Sequence, residues 1–189
     1  VVIDELTEEL SFPMASKPNL INFDAENMLL AEVRYPKSKV EWVYQYRNAP
    51  LYLDRVKALE ACGNNASNDM ESARVVLEGI NDSFWGVRQV AIEATNSAVG
   101  KLPTEIKNAL MQRANLDDDA RVRAAAVKAL SLHYSSADLA SVYKTALNDS
   151  SYSVMAEGMN ALAKIDEAQA MAVAKKYENE GAQQVLLSI

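Results

Sequence analysis

One cysteine, one histidine, six glycines and five prolines in 189 residues exclude several large protein classes. With Cys62 as the lone thiol no intrachain disulfide can form, so an apolar core must hold the fold. Cys62 ends an apolar helical run beside Ala61, where a thiol acts as a small buried hydrophobe. With His133 as the lone imidazole, the two-histidine zinc helix is impossible. His133 follows Leu132 at a helix end, where a cation would face unsatisfied carbonyls. Gly63, Gly79, Gly86 and Gly100 are isolated, so no glycine-rich phosphate loop exists, and Gly-x-Ser-x-Gly is absent. The run Asp117-Asp118-Asp119 lacks the twelve-residue calcium-loop pattern and instead reads as a helix start. Basic residues are also scarce: 19 against 26 acidic, a net charge of −7, which argues against a nucleic-acid partner. No run approaches the roughly 18 apolar residues of a membrane span, so no membrane partner is expected. Neither a catalytic constellation nor a cofactor site is expected within this segment.

What is present divides in two. Hydrophobic residues make up 49% and charged residues 24%, enough for a substantial core with a solvated surface. Residues 1–36 contain short, partly alternating runs, Glu9–Pro13, Asn19–Phe23 and Met28–Tyr35, punctuated by Pro13, Pro18 and Pro36. They are expected to be the strand remnant of a β-sandwich, since so few strands would leave unpaired edges. The opening Val1-Val2-Ile3-Asp4, without methionine, is expected to belong to a piece of a longer polypeptide. From residue 37 to 189 the period changes to helical. Helices are expected over 38–48, 51–62, 69–80, 83–98, 103–115, 118–133, 136–148, 151–165 and 166–179, and Gly181 to Ile189 reads as an incomplete last helix.

The helical part repeats itself. Ala58-Leu59-Glu60-Ala61 returns as Ala91-Ile92-Glu93-Ala94, Ala126-Val127-Lys128-Ala129 and Gly158-Met159-Asn160-Ala161, at steps of 33, 35 and 32 residues. Such spacing means stacked supersecondary units. Upstream of these strings, Asp82 precedes Val87-Arg88 and Asp117 precedes Val122-Arg123 at the same spacing. Asp149 precedes Val154-Met155, which has lost its arginine, while Arg55 holds the equivalent place in the first copy. Each Asp can accept hydrogen bonds from free amides at a helix start. Each Arg can reach a carboxylate of the next unit, so Arg55, Asp82, Arg88, Asp117, Arg123 and Asp149 are expected to form a structural ladder. Alanines at the contact face allow close helix approach. The combination resembles HEAT repeats in a short form, which implies a mainly α, α-α superhelical solenoid. Ankyrin and tetratricopeptide signatures are absent.

Trp42, Tyr44, Tyr46 and Tyr52 form an aromatic group near the change of period, with Trp42 and Tyr46 four apart on one helix face. They are expected to form either a seam between the two parts or a contact surface for a partner domain.

Residues 19–62 resemble the junction between the β-sandwich and the helical C-terminal domain of M1-family zinc aminopeptidases. The resemblance lies in Asn22-Phe23-Asp24 with Leu29-Leu30, then Glu41-Trp42-Val43-Tyr44-Gln45-Tyr46-Arg47-Asn48-Ala49, then Asp54-Arg55-Val56-Lys57-Ala58-Leu59. The order of these elements, followed by repeated helix pairs, extends it over nearly the whole chain. It implies a parent enzyme that removes N-terminal residues from peptides with a zinc-activated water. The zinc ligands and glutamate base of that family lie in a catalytic domain upstream, so no catalytic or zinc-binding residue is assigned here. The implied partners are the upstream catalytic and β-sandwich domains of the same polypeptide, with peptide substrate reached through the full-length protein. A stand-alone HEAT-repeat scaffold for protein partners is the alternative.

Overall fold

The computed structural model describes residues 9–30, 32–134 and 137–177. Helix α1 (Lys39–Asn48) begins where Pro36 ends an extended run. A reciprocal cap sets its start: the Ser38 hydroxyl accepts the Glu41 amide, and the Glu41 carboxylate accepts the Ser38 amide at 2.8 Å. Then follow α2 (Tyr52–Gly63), α3 (Met70–Ile80) and α4 (Trp85–Ala94), which tightens into a 3-10 turn at Thr95–Ser97. Asp69 caps α3 by accepting the Ser72 amide at 2.8 Å. Beyond lie α5 (Thr104–Leu116), α6 (Ala120–His133), α7 (Ala140–Ala146) after a 3-10 turn at Ala137–Leu139, α8 (Tyr152–Ala163) and α9 (Glu167–Tyr177). Pro103 stands at the N-cap of α5, where its missing N–H costs nothing.

Consecutive helices pack as hairpins, α1 on α2, α3 on α4, α5 on α6 and α7 on α8, with α9 against α8. The hairpins stack: α1, α3, α5 and α7 form one row, and α2, α4, α6 and α8 a second. This all-helical, two-row packing is consistent with a helical solenoid. Between the rows lies a continuous apolar layer that includes Leu59, Val76, Ile92, Leu110, Val127, Leu130 and Leu162, all fully buried. The repeated small residues stand where helices press together. Ala58, Ala91 and Ala126 have no exposed surface, and a Cβ on Gly158 would lie 2.8 Å from the Ala146 Cβ.

The expected strands are not found: among the described residues none is in a strand, and residues 9–30 and 32–36 run as extended chain and turns. Alternation prepares a segment for a sheet, but a ladder needs a second strand to take its N–H and C=O groups. None lies alongside, and Phe12 and Met28 remain 70% and 79% exposed. The segment has one ordered turn. The Asp24 carboxylate accepts the amides of Met28 and Leu29 at 2.9 and 3.1 Å. Asp24 and Asn27 adopt positive φ values of 47° and 53°, a region those side chains tolerate. The expectations for Val1–Asp4 and for a last helix over Gly181–Ile189 lie outside the described residues.

Candidate functional site

The recurring Asp and Arg meet at the turns that lead into α4, α6 and α8. Arg88 works in two directions. Its Nη1 donates to the Asp82 and Ser83 carbonyls, both at 3.0 Å, in its own turn. Its Nε and Nη2 donate to the two Asp117 carboxylate oxygens, both at 2.7 Å, in the next turn. Arg123 repeats this: Nη1 reaches the Asp117 and Asp118 carbonyls at 2.8 and 3.2 Å, and Nε and Nη2 clamp Asp149 at 2.7 and 2.8 Å. Arg55 pairs with Asp82 and lies 5.5 Å from the Tyr46 ring. Two-point guanidinium–carboxylate geometry is the strong form of this contact.

The aspartates do not hold the helix amides. Asp82, Asp117 and Asp149 accept the amides of Phe84, Asp119 and Ser151 at 2.8, 3.0 and 2.8 Å, each the residue just before its helix. An Asp three residues ahead of the first helical position reaches only the amide two places on, as in an Asx turn. In α6 the cap is supplied by Asp119, which accepts the Arg121 amide at 2.9 Å.

The ladder ends cleanly. Ala49 stands six residues before Arg55, where Asp82 stands before Arg88, and Met155 replaces the arginine after Asp149. Three arginines therefore match three aspartates. Burial pushes the Asp117 carboxyl up, but the Arg88 guanidinium and the Asp119 amide outweigh it and hold the group below the usual carboxylate range. The Arg123 guanidinium likewise holds the Asp149 carboxyl down. Paired, hydrogen-bonded and largely buried, these groups tie adjacent turns.

The four aromatic residues separate into two pairs. Tyr46 is buried in the core and Trp42 packs against its edge, beneath the Lys37 ammonium at 4.9 Å. Tyr44 and Tyr52 stay exposed. Tyr52 meets Phe84 edge to face at 5.6 Å, Phe84 tilts against Trp85 at 5.4 Å, and the Arg121 guanidinium stacks on Trp85 at 3.4 Å. A surface ridge thus runs over the N-terminal ends of α2, α4 and α6.

A polar junction beneath α1 was not foreseen. Gln45 is fully buried; its amide donates to the Asp54 carbonyl at 2.7 Å and its oxygen accepts from Lys37. Asp54, the third residue of α2, is also buried, and both carboxylate oxygens lack a hydrogen-bond partner. The available signal was a Gln on the inward face of a helix, in register with Trp42 and Tyr46.

His133 closes α6, as expected; burial lowers its pKa, against the opposing pull of a hydrogen bond to the Thr95 backbone. Burial pushes the Cys62 thiol up to about 11, which keeps it protonated at neutral pH. Among the described residues no group of three or more His, Cys, Asp or Glu side chains could hold a metal ion. No described helix is long and apolar enough to cross a membrane. No family model and no curated protein matches the chain.

Proposed function

We propose that this chain is the non-catalytic C-terminal region of an M1-like zinc aminopeptidase, a HEAT-like solenoid that packs on the upstream catalytic domain and shapes peptide access. The supporting observation is an order of parts: an extended apolar segment with the Asp24 turn, a helix locked by buried Gln45, then stacked hairpins tied by Arg55–Asp82, Arg88–Asp117 and Arg123–Asp149. In this reading residues 1–36 contribute strands to a preceding β-sandwich, whose neighbouring strands supply the missing ladder partners. The exposed Phe12, Met14, Phe23, Met28 and Leu30 then pack against that domain. Zinc belongs to the catalytic domain and peptide reaches this segment only through the full-length protein.

The test is the coding sequence upstream of Val1. A His-Glu-x-x-His helix followed by sandwich strands is expected; a start codon immediately before Val1 would overturn the reading. A second reading, a stand-alone scaffold for a protein partner, is favoured by the ridge of Tyr52, Phe84, Trp85 and Arg121. That start codon is the outcome it requires.

A further inference from the structure

We propose that Lys37 and Lys57 clip residues 22–37 onto the first helix pair as a strap, fixing the direction in which the N-terminal segment leaves the stack. Among its described residues this segment has no helix or strand, so side-chain contacts decide where they lie. Lys57 Nζ on α2 donates to the Asn27 side chain at 2.7 Å, beside the Asp24 turn. Lys37 Nζ donates to the Asn22 side chain at 3.5 Å and to buried Gln45. The Lys37 ammonium also lies 4.9 Å from the Trp42 ring and 5.8 Å from the Tyr35 ring, and the Tyr35 hydroxyl reaches Glu41 at 3.1 Å.

Contacts of this kind on an open surface hold little. The difference here is burial. Lys37 donates to Gln45, which is fully buried and donates in turn to the Asp54 carbonyl. Asp54 is 1% exposed, with no hydrogen-bond partner for either carboxylate oxygen. Burial pushes the Lys37 pKa down, and the Asp54 carboxylate opposes that shift. Lys37 and Lys57 repel each other, and the Gln45, Asn22 and Asn27 side chains accept from them. Buried Gln45 therefore anchors Lys37, and Lys37 is itself the last residue of the strap, two before α1. The clip stands on these contacts alone. Its consequence, that the strap sets the angle between the stack and a preceding domain, rests on the proposed aminopeptidase reading.

Limited proteolysis of this chain with a protease that cuts after aromatic and leucine residues tests the clip directly. Phe23, Leu29, Leu30 and Tyr35 are exposed sites within the strap. Lys37→Met and Lys57→Met are expected to speed cleavage between residues 22 and 36 by about tenfold, with the helices still protected. Lys37→Met alone leaves the buried Asp54 carboxyl without the nearby ammonium, so in Lys37→Met/Asp54→Asn the stack is expected to stay folded while the strap opens. Wild-type cleavage rates in that double variant would overturn the clip. The upstream coding sequence plays no part in this measurement, so the clip and the aminopeptidase reading fail separately.

Discussion

Single residues in this molecule are constrained by how closely neighbouring helices approach. Gly63 ends α2, and a Cβ placed there would come within 2.5 Å of both the Ala94 Cβ and its carbonyl oxygen. Helix propensity favours Ala over Gly by about 1 kcal/mol. A clash with backbone cannot be relieved by a rotamer change and costs about 1–3 kcal/mol. Gly63→Ala is therefore expected to lower the melting temperature measured by circular dichroism. Gly86→Ala is the contrast, because the added methyl would meet the ring of Phe84, an exposed side chain that can turn aside. Equal losses from the two substitutions would refute the backbone argument. Tyr143 is a different constraint: its ring is buried in the core, yet its hydroxyl has no partner, and burial pushes its pKa to about 12. An unmade hydrogen bond on a buried group costs about 1–3 kcal/mol. Tyr143→Phe keeps the ring and drops that group, so its unfolding midpoint in urea is expected at or above the wild-type value. A clear fall would mean that the hydroxyl has a partner in solution.

Between elements, the Asp–Arg pairs convert pH into stability. The folded-state pKa values of Asp117 and Asp149 lie below their ordinary values, so both groups favour the folded state when ionised. That contribution is complete above the unfolded value of about 4 and is lost as pH falls through the depressed folded values. The melting temperature is expected to stay level from about pH 7 to 5 and to drop below about pH 4. Asp117→Asn is expected to melt lower than wild type at neutral pH, because Arg88 then lacks its counter-charge, and to show a shallower acid slope. An unchanged slope would place the acid sensitivity elsewhere. The repeat spacing of these residues was legible in the sequence because it follows from stacking. So were most helix starts, since Ser38 with Glu41 and Pro103 act through bonds within four residues. Three features were not legible. The buried Gln45–Asp54–Lys37 junction depends on which faces two helices turn to each other. The partial burial of His133 depends on the 3-10 turn after α4, which lies outside its own helix. Alternation in residues 9–36 describes a strand's faces and carries no information about a pairing partner.

At the scale of the whole molecule, the two-row stack makes coupling local. Helices pack against their hairpin partner and against the corresponding helices of adjacent hairpins, so each unit depends on its neighbours and little else. Such an array need not unfold as a single unit. The Arg123–Asp149 clamp joins the turn before α6 to the turn before α8, and no arginine continues the ladder beyond it. Removing it should weaken the far end of the stack and leave the near end intact. In Arg123→Leu, hydrogen exchange is expected to quicken by tenfold or more for amides of α7 and α8, with α2 and α4 near wild-type rates. Breaking a largely buried pair of this kind costs about 3–5 kcal/mol, enough to make such a gradient measurable. Arg88→Leu, one step earlier, should move the boundary so that α5 and α6 join the fast-exchanging part. If both variants quickened exchange equally from α2 to α8, the helices would form one cooperative core, and the sequence repeat would no longer correspond to an independent unit of stability.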